Sequence, residues 1–127
     1  MASSADGMSL VAVGMMGTYV STNGGNTWMP VPTPFGDTAT SVASSADGRK
    51  LVVGTTGRGF VGAEIYVSSD AGSTWNPTTA PAEYWSGVAS SADGSVLAAA
   101  GLTVNYNPGL VYTSTNSGDA NSPSCPG

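Results

Sequence analysis

The pentapeptide Ser-Ser-Ala-Asp-Gly stands at Ser3–Gly7, again at Ser44–Gly48 and a third time at Ser90–Gly94. From Ser3 to Ser44 is 41 residues and from Ser44 to Ser90 is 46, a spacing typical of a repeat built from one supersecondary unit. A second motif keeps step with it. Tyr19-Val-Ser-Thr-Asn-Gly-Gly-Asn-Thr-Trp28 matches Tyr66-Val-Ser-Ser-Asp-Ala-Gly-Ser-Thr-Trp75, and Tyr112-Thr-Ser-Thr-Asn-Ser-Gly118 is a fading third copy. Two motifs in constant order make the chain three copies of one unit, with repeats at about 1–40, 41–86 and 87–118 and a Gly/Ser/Pro tail at 119–127.

Each copy resolves into short strands. Val42-Ala-Ser-Ser leads into the Ala-Asp-Gly turn, Leu51-Val-Val-Gly follows it, Ile65-Tyr-Val-Ser comes third, and the residues after Thr74-Trp75 come fourth. The second strands, Leu10–Val13 and Val96–Ala100, are apolar without alternation, as strands covered on both faces are. Four short strands per repeat is the pattern of a propeller blade, so the expected fold is all-β, with about three four-stranded antiparallel blades in a single domain over 1–127. The third repeat has Ala120-Asn121 where Thr-Trp should stand, so a regular fourth strand is not expected there.

Composition agrees. Charged residues are 9% of the 127 and Gly numbers 18, which suits tight turns and disfavours long helices. Net charge is −5 and the only cations are Arg49, Lys50 and Arg58, so nucleic acid is not an expected partner. No apolar run approaches the roughly 20 residues that span a bilayer, and no export leader follows Met1. Cys125 is alone and His is absent, which removes an internal disulfide and the soft metal ligands; neither a metal nor a cofactor is expected. Oxygen ligands at Asp6, Asp47 and Asp93 could serve calcium, but a lone Asp in an Ala-Asp-Gly turn is the common turn former.

The pattern Ser-x-Asp-x-Gly-x-Thr-Trp, at Ser68, Asp70, Gly72, Thr74 and Trp75, resembles the Asp-box, or BNR, repeat. It recurs with Asn for Asp at Ser21, Asn23, Gly25, Thr27 and Trp28, and in part at Ser114, Asn116 and Gly118. The resemblance spans nearly the whole chain and implies a β-propeller, as in sialidases, sortilin-type receptors, some glycoside hydrolases and photosystem assembly factors. In that family the boxed acid is structural. The physical reason is visible here, since a short carboxylate or amide in a tight hairpin accepts N–H groups of its own loop.

Catalysis is not expected. A sialidase-like site needs an arginine cluster, whereas Arg49 follows a turn and leaves Arg58 without companions. Glu64 and Glu83 are the only glutamates, and nothing in their spacing pairs them as a glycosidase would require. Binding by side chains is expected instead in the long connections Thr55–Glu64 and Leu102–Gly109, at Arg58, Phe60, Tyr106 and Asn107, and at Tyr84 and Trp85 ahead of the third repeat. Trp85 has a second reading as the opening residue of a first strand.

The expected role is therefore a non-catalytic structural or assembly module, extracellular or on a particle surface. A lectin-like carbohydrate-binding propeller is the alternative, and a glycoside hydrolase fragment stands behind both. Propellers close with 4 to 8 blades, so three repeats call for a homo-oligomer, either a dimer of six blades or an open filament. Residues 119–127 are expected to lie against an adjoining subunit or blade.

Overall fold

A computed structural model of the chain describes residues 1–14, 17–32, 39–55, 64–78, 84–102, 110–114 and 123–124. They form three separate four-stranded antiparallel sheets, each a meander in which consecutive strands pair. The first holds β1 (Ala2–Ser3), β2 (Leu10–Gly14), β3 (Gly17–Ser21) and β4 (Met29–Val31). The second holds β5 (Ala39–Ser44), β6 (Leu51–Thr55), β7 (Ile65–Ser68) and β8 (Asn76–Pro77), and the third β9 (Tyr84–Ser90), β10 (Leu97–Leu102), β11 (Leu110–Ser114) and β12 (Pro123–Ser124). Each sheet is one repeat, and each is one blade.

Two details differ from the reading of the sequence. The third blade has its fourth strand: β12 pairs with β11 through Val111↔Ser124 and Tyr112↔Pro123. Backbone pairing needs no Thr-Trp, and these two residues of the tail lie on their own blade instead of a neighbouring subunit. The first strands also begin earlier than the repeat bounds, at Ala39 and Tyr84, and each carries an extra residue. The register slips between Ala39 and Ser41, and opposite Ala100/Gly101 in the third blade. Such bulges re-aim the side chain of the unpaired residue. Thr40 uses its own to donate to Gly54 C=O (3.2 Å) and, across to the third blade, to Trp85 C=O (2.9 Å).

The blades stack face to face, and the core consists of two seams. Val11, Ala39, Val42, Leu51, Val53 and Trp75 pack between the first and second blades, with Val20 and Tyr66 at the margin. Val52, Ile65, Trp85, Leu97 and Ala99 pack between the second and third, with Val67 and Tyr112. Strand β6 is buried from end to end because Leu51 and Val53 enter one seam while Val52 enters the other. This is why the apolar run shows no alternation.

The repeated turns form a third line of contact. Ala5 N–H donates to Ala46 C=O and Ala46 N–H to Ala92 C=O, each at 2.7 Å, so the same backbone bond joins each blade to the next. Every turn is wired alike. In the second, Ser45 Oγ donates to Asp47 Oδ1 (2.6 Å), which also accepts Arg49 N–H (3.0 Å), while Lys50 N–H reaches Ser45 Oγ (3.1 Å). The turn closes on Gly48 at φ 75°, matching Gly7 and Gly94 at 73°, a left-handed conformation that glycine adopts without penalty.

Candidate functional site

In the boxed hairpins between third and fourth strands the side-chain bonds stay within the loop. Ser68 Oγ donates to Asp70 Oδ1 (2.8 Å) and accepts Gly72 N–H (2.9 Å), Asp70 Oδ1 accepts Thr74 N–H (2.8 Å), and the Thr74 hydroxyl donates to Oδ2. These donors, the Thr74 hydroxyl first, hold the Asp70 carboxyl down to about 2. The first hairpin repeats the network without charge, with Thr27 N–H on Asn23 Oδ1 (3.0 Å) and Asn23 Nδ2 donating to Thr27 Oγ1 (2.8 Å). Ser114 ends β11 and is buried, while Asn116 and Gly118 lie outside the described residues.

The turn carboxylates likewise bind their own turns, each through Oδ1. Asp93 is held down to about 2, first by the Ser95 N–H, and Asp6 and Asp47 are lowered chiefly by the hydroxyls of Ser4 and Ser45. An oxygen that already accepts two or three donors in its own turn has little left to offer a ligand.

Of the residues expected to bind, Arg58, Phe60, Tyr106 and Asn107 lie outside the described residues, as does Glu83. Tyr84 opens β9. Trp85 is corrected: it is 0% exposed in the second seam, with its ring edge-on to Tyr112 at 5.5 Å and 81°. A ring with no accessible surface cannot stack on a sugar, so its role is packing. Glu64 is exposed, and Tyr66 beside it is raised by burial first and by the Glu64 charge second. A cleft of about 260 Å³ lies between the second and third blades, bordered by Lys50, Ser68, Asn76 and Leu97. It falls just short of the ~300 Å³ at which small-molecule pockets begin.

The surfaces that the sequence did not single out are the outward faces of the end blades. Leu51, Tyr66 and Trp75 of the second blade face the first, and Trp75 is only 9% exposed there. Among the described residues no blade lies over their counterparts Leu10, Tyr19 and Trp28, and Trp28 is 37% exposed with Met8 at 49% and Met29 at 59% nearby in sequence. On the third blade Val96, at the position of Ser9 and Lys50, is 43% exposed. The turn glycines report the same contrast. A methyl built on Gly48 would stand 2.7 Å from Ser9 Cβ, and one on Gly94 2.7 Å from Lys50 Cβ, whereas Gly7 has nothing within 4 Å. A signal for these faces did exist in the sequence, since Leu and Tyr recur at fixed positions in all three repeats and Trp in the first two, and such positions are either covered by a neighbouring blade or left open.

Three four-stranded meanders stacked through apolar faces define an incomplete β-propeller. No protein-family model and no curated protein matches the chain. Solved structures do. A structure described as YCF48 bound to D1 peptide superposes with a TM-score of 0.68 at 18% identity, over 93% of this chain and 37% of that one. The GH74 enzyme of Niastella koreensis superposes with a TM-score of 0.70 at 25% identity, over 91% of this chain and 19% of that one. The chain thus spans well under half the length of either.

Proposed function

We propose that this chain is a non-catalytic structural or assembly module of the Asp-box type, which works by docking through its outward blade faces. The observation that carries this is the contrast between Trp75, buried by a neighbouring blade, and Trp28, its uncovered equivalent. Apolar residues that recur at the position of a buried seam are built to be covered. The chemistry supports the same reading. Asp6, Asp47 and Asp93 each fasten their own turn through Oδ1, Asp70 fastens its hairpin through both oxygens, and Arg49 follows a turn. We place such a module outside the cell or on a particle surface.

Assay on a panel of fluorogenic glycosides, sialosides included, together with a glycan array, tests the proposal. Background signal on both is expected. Turnover that vanishes with Glu64→Gln or Glu83→Gln would establish an enzyme instead, and selective binding of one glycan class would establish the lectin.

A further inference from the structure

We propose that a second copy of this chain covers these faces head to tail, the third blade of one copy packing on the first blade of the other in the register of the internal seams. The inference rests on the assembly reading above and names its partner. Both internal seams are built from the same parts. The alanine N–H of one blade donates to the alanine C=O of the next, at 2.7 Å in each case. The residue at position 9 or 50 covers the next blade's turn glycine, Gly48 or Gly94. Third-strand Val20 presses on the following blade's hairpin, its Cγ1 3.4 Å from a methyl built on Gly72 beside Leu51 and Trp75, and its counterpart Val67 packs against the apolar cluster of the second seam.

The two ends hold the matching halves of a third such seam. The third blade offers the Ala92 N–H, Val96, Ala98 and the half-buried Thr113. The first blade offers the Ala5 C=O, the open Gly7 with nothing within 4 Å, and the Leu10–Trp28 face. Val96 takes the place of Ser9 and Lys50 over the glycine, and an apolar residue there suits a contact that must exclude water between chains. Because one end carries the donor half and the other the acceptor half, the contact is heterologous, and two of them in a dimer close a ring of six blades, inside the usual range of 4 to 8.

Light scattering and native mass spectrometry on the purified 127-residue chain and on Trp28→Arg and Val96→Arg decide it. Both substitutions fall on exposed side chains, and circular dichroism checks that the variants fold. The wild type is expected as a dimer, and each variant alone as a monomer, its self-association weakened ~100-fold or more by an unpaired charge in the seam. A mixture of the two variants regains one intact junction, third blade of Trp28→Arg on first blade of Val96→Arg, and is expected to give a one-to-one heterodimer. A monomeric wild type would overturn the inference, and so would a dimer that survives in either variant alone, since that is a face-to-face contact. Neither result touches the glycosidase and glycan outcomes that decide the proposed function.

Discussion

The first and second blades carry nearly the same hairpin sequence, and their hydrogen bonds agree almost atom for atom: Gly25 N–H to Ser21 Oγ and Gly72 N–H to Ser68 Oγ are both 2.9 Å. Yet Trp28 is 37% exposed and Trp75 only 9%. The hairpin is therefore encoded locally, while the burial of its tryptophan is conferred by whatever lies on the blade's outer side. Stability should follow the neighbour and not the motif. Trp75→Ala is expected to cost about 3–5 kcal/mol, the usual range for a buried tryptophan. Trp28→Ala in the dilute single chain should cost about 1 kcal/mol, near the centre of single-mutant effects. Urea unfolding of both variants reads the gap. Equal losses at low protein concentration would break the comparison, and a Trp28→Ala loss that grows with concentration would sharpen it.

The turn glycines isolate the seam from the local strain. Gly7→Ala and Gly48→Ala impose the same left-handed penalty of about 1–2 kcal/mol, but only the second drives a methyl into Ser9 Cβ at 2.7 Å. Gly48→Ala should lose a further 1–3 kcal/mol or so, as overpacking does. Matching thermal shifts for the two variants would mean that the first seam yields without cost.

A smaller difference separates Gly24 from Ala71, which occupy the same hairpin position at φ 69° and 61°. Ala71 is held there by its N–H bond to Arg49 C=O at 2.9 Å. Ala71→Gly removes the strain but frees the unfolded chain, so a net gain of under about 1 kcal/mol is expected. A lowered melting temperature would show that unfolded-state entropy outweighs the strain.

The smallest contrast is electrostatic. Asp70 is held near 2 when folded, below the ordinary value of about 3.9 in an unfolded chain. Its contribution is thus fully present above about pH 4 and is lost as pH falls toward 2, whereas Asn23 has no titration to lose. Asp70→Asn should flatten the acid limb of stability slightly and Asn23→Asp should steepen it, both read by melting between pH 5 and about 2. Identical acid limbs in all three proteins would show that the box carboxylate gains nothing from its donors.

Much of this architecture was legible in the sequence because it is repeated. The Ser-Ser-Ala-Asp-Gly turns located the first and second strands, and the boxes located the third and fourth, each through local hydrogen bonding. What escaped was non-local. Pro123–Ser124 completes the third blade by backbone pairing alone, which leaves no side-chain signature. Trp85 reads equally as an exposed ring or a core residue until a second blade is laid against it. The outward faces were not told apart from the inner ones for the same reason, since Leu10 and Leu51 are the same residue in the same motif and differ only in what covers them.

The backbone bond that runs from Ala5 to Ala46 and from Ala46 to Ala92 has one more consequence. Peptide groups make it, at one fixed point of every repeat, so it is indifferent to side-chain drift. A tandem duplication or deletion of one whole repeat would keep this backbone bond available at the new junction. A change of blade number would then leave only the side chains of the new seam to be refitted.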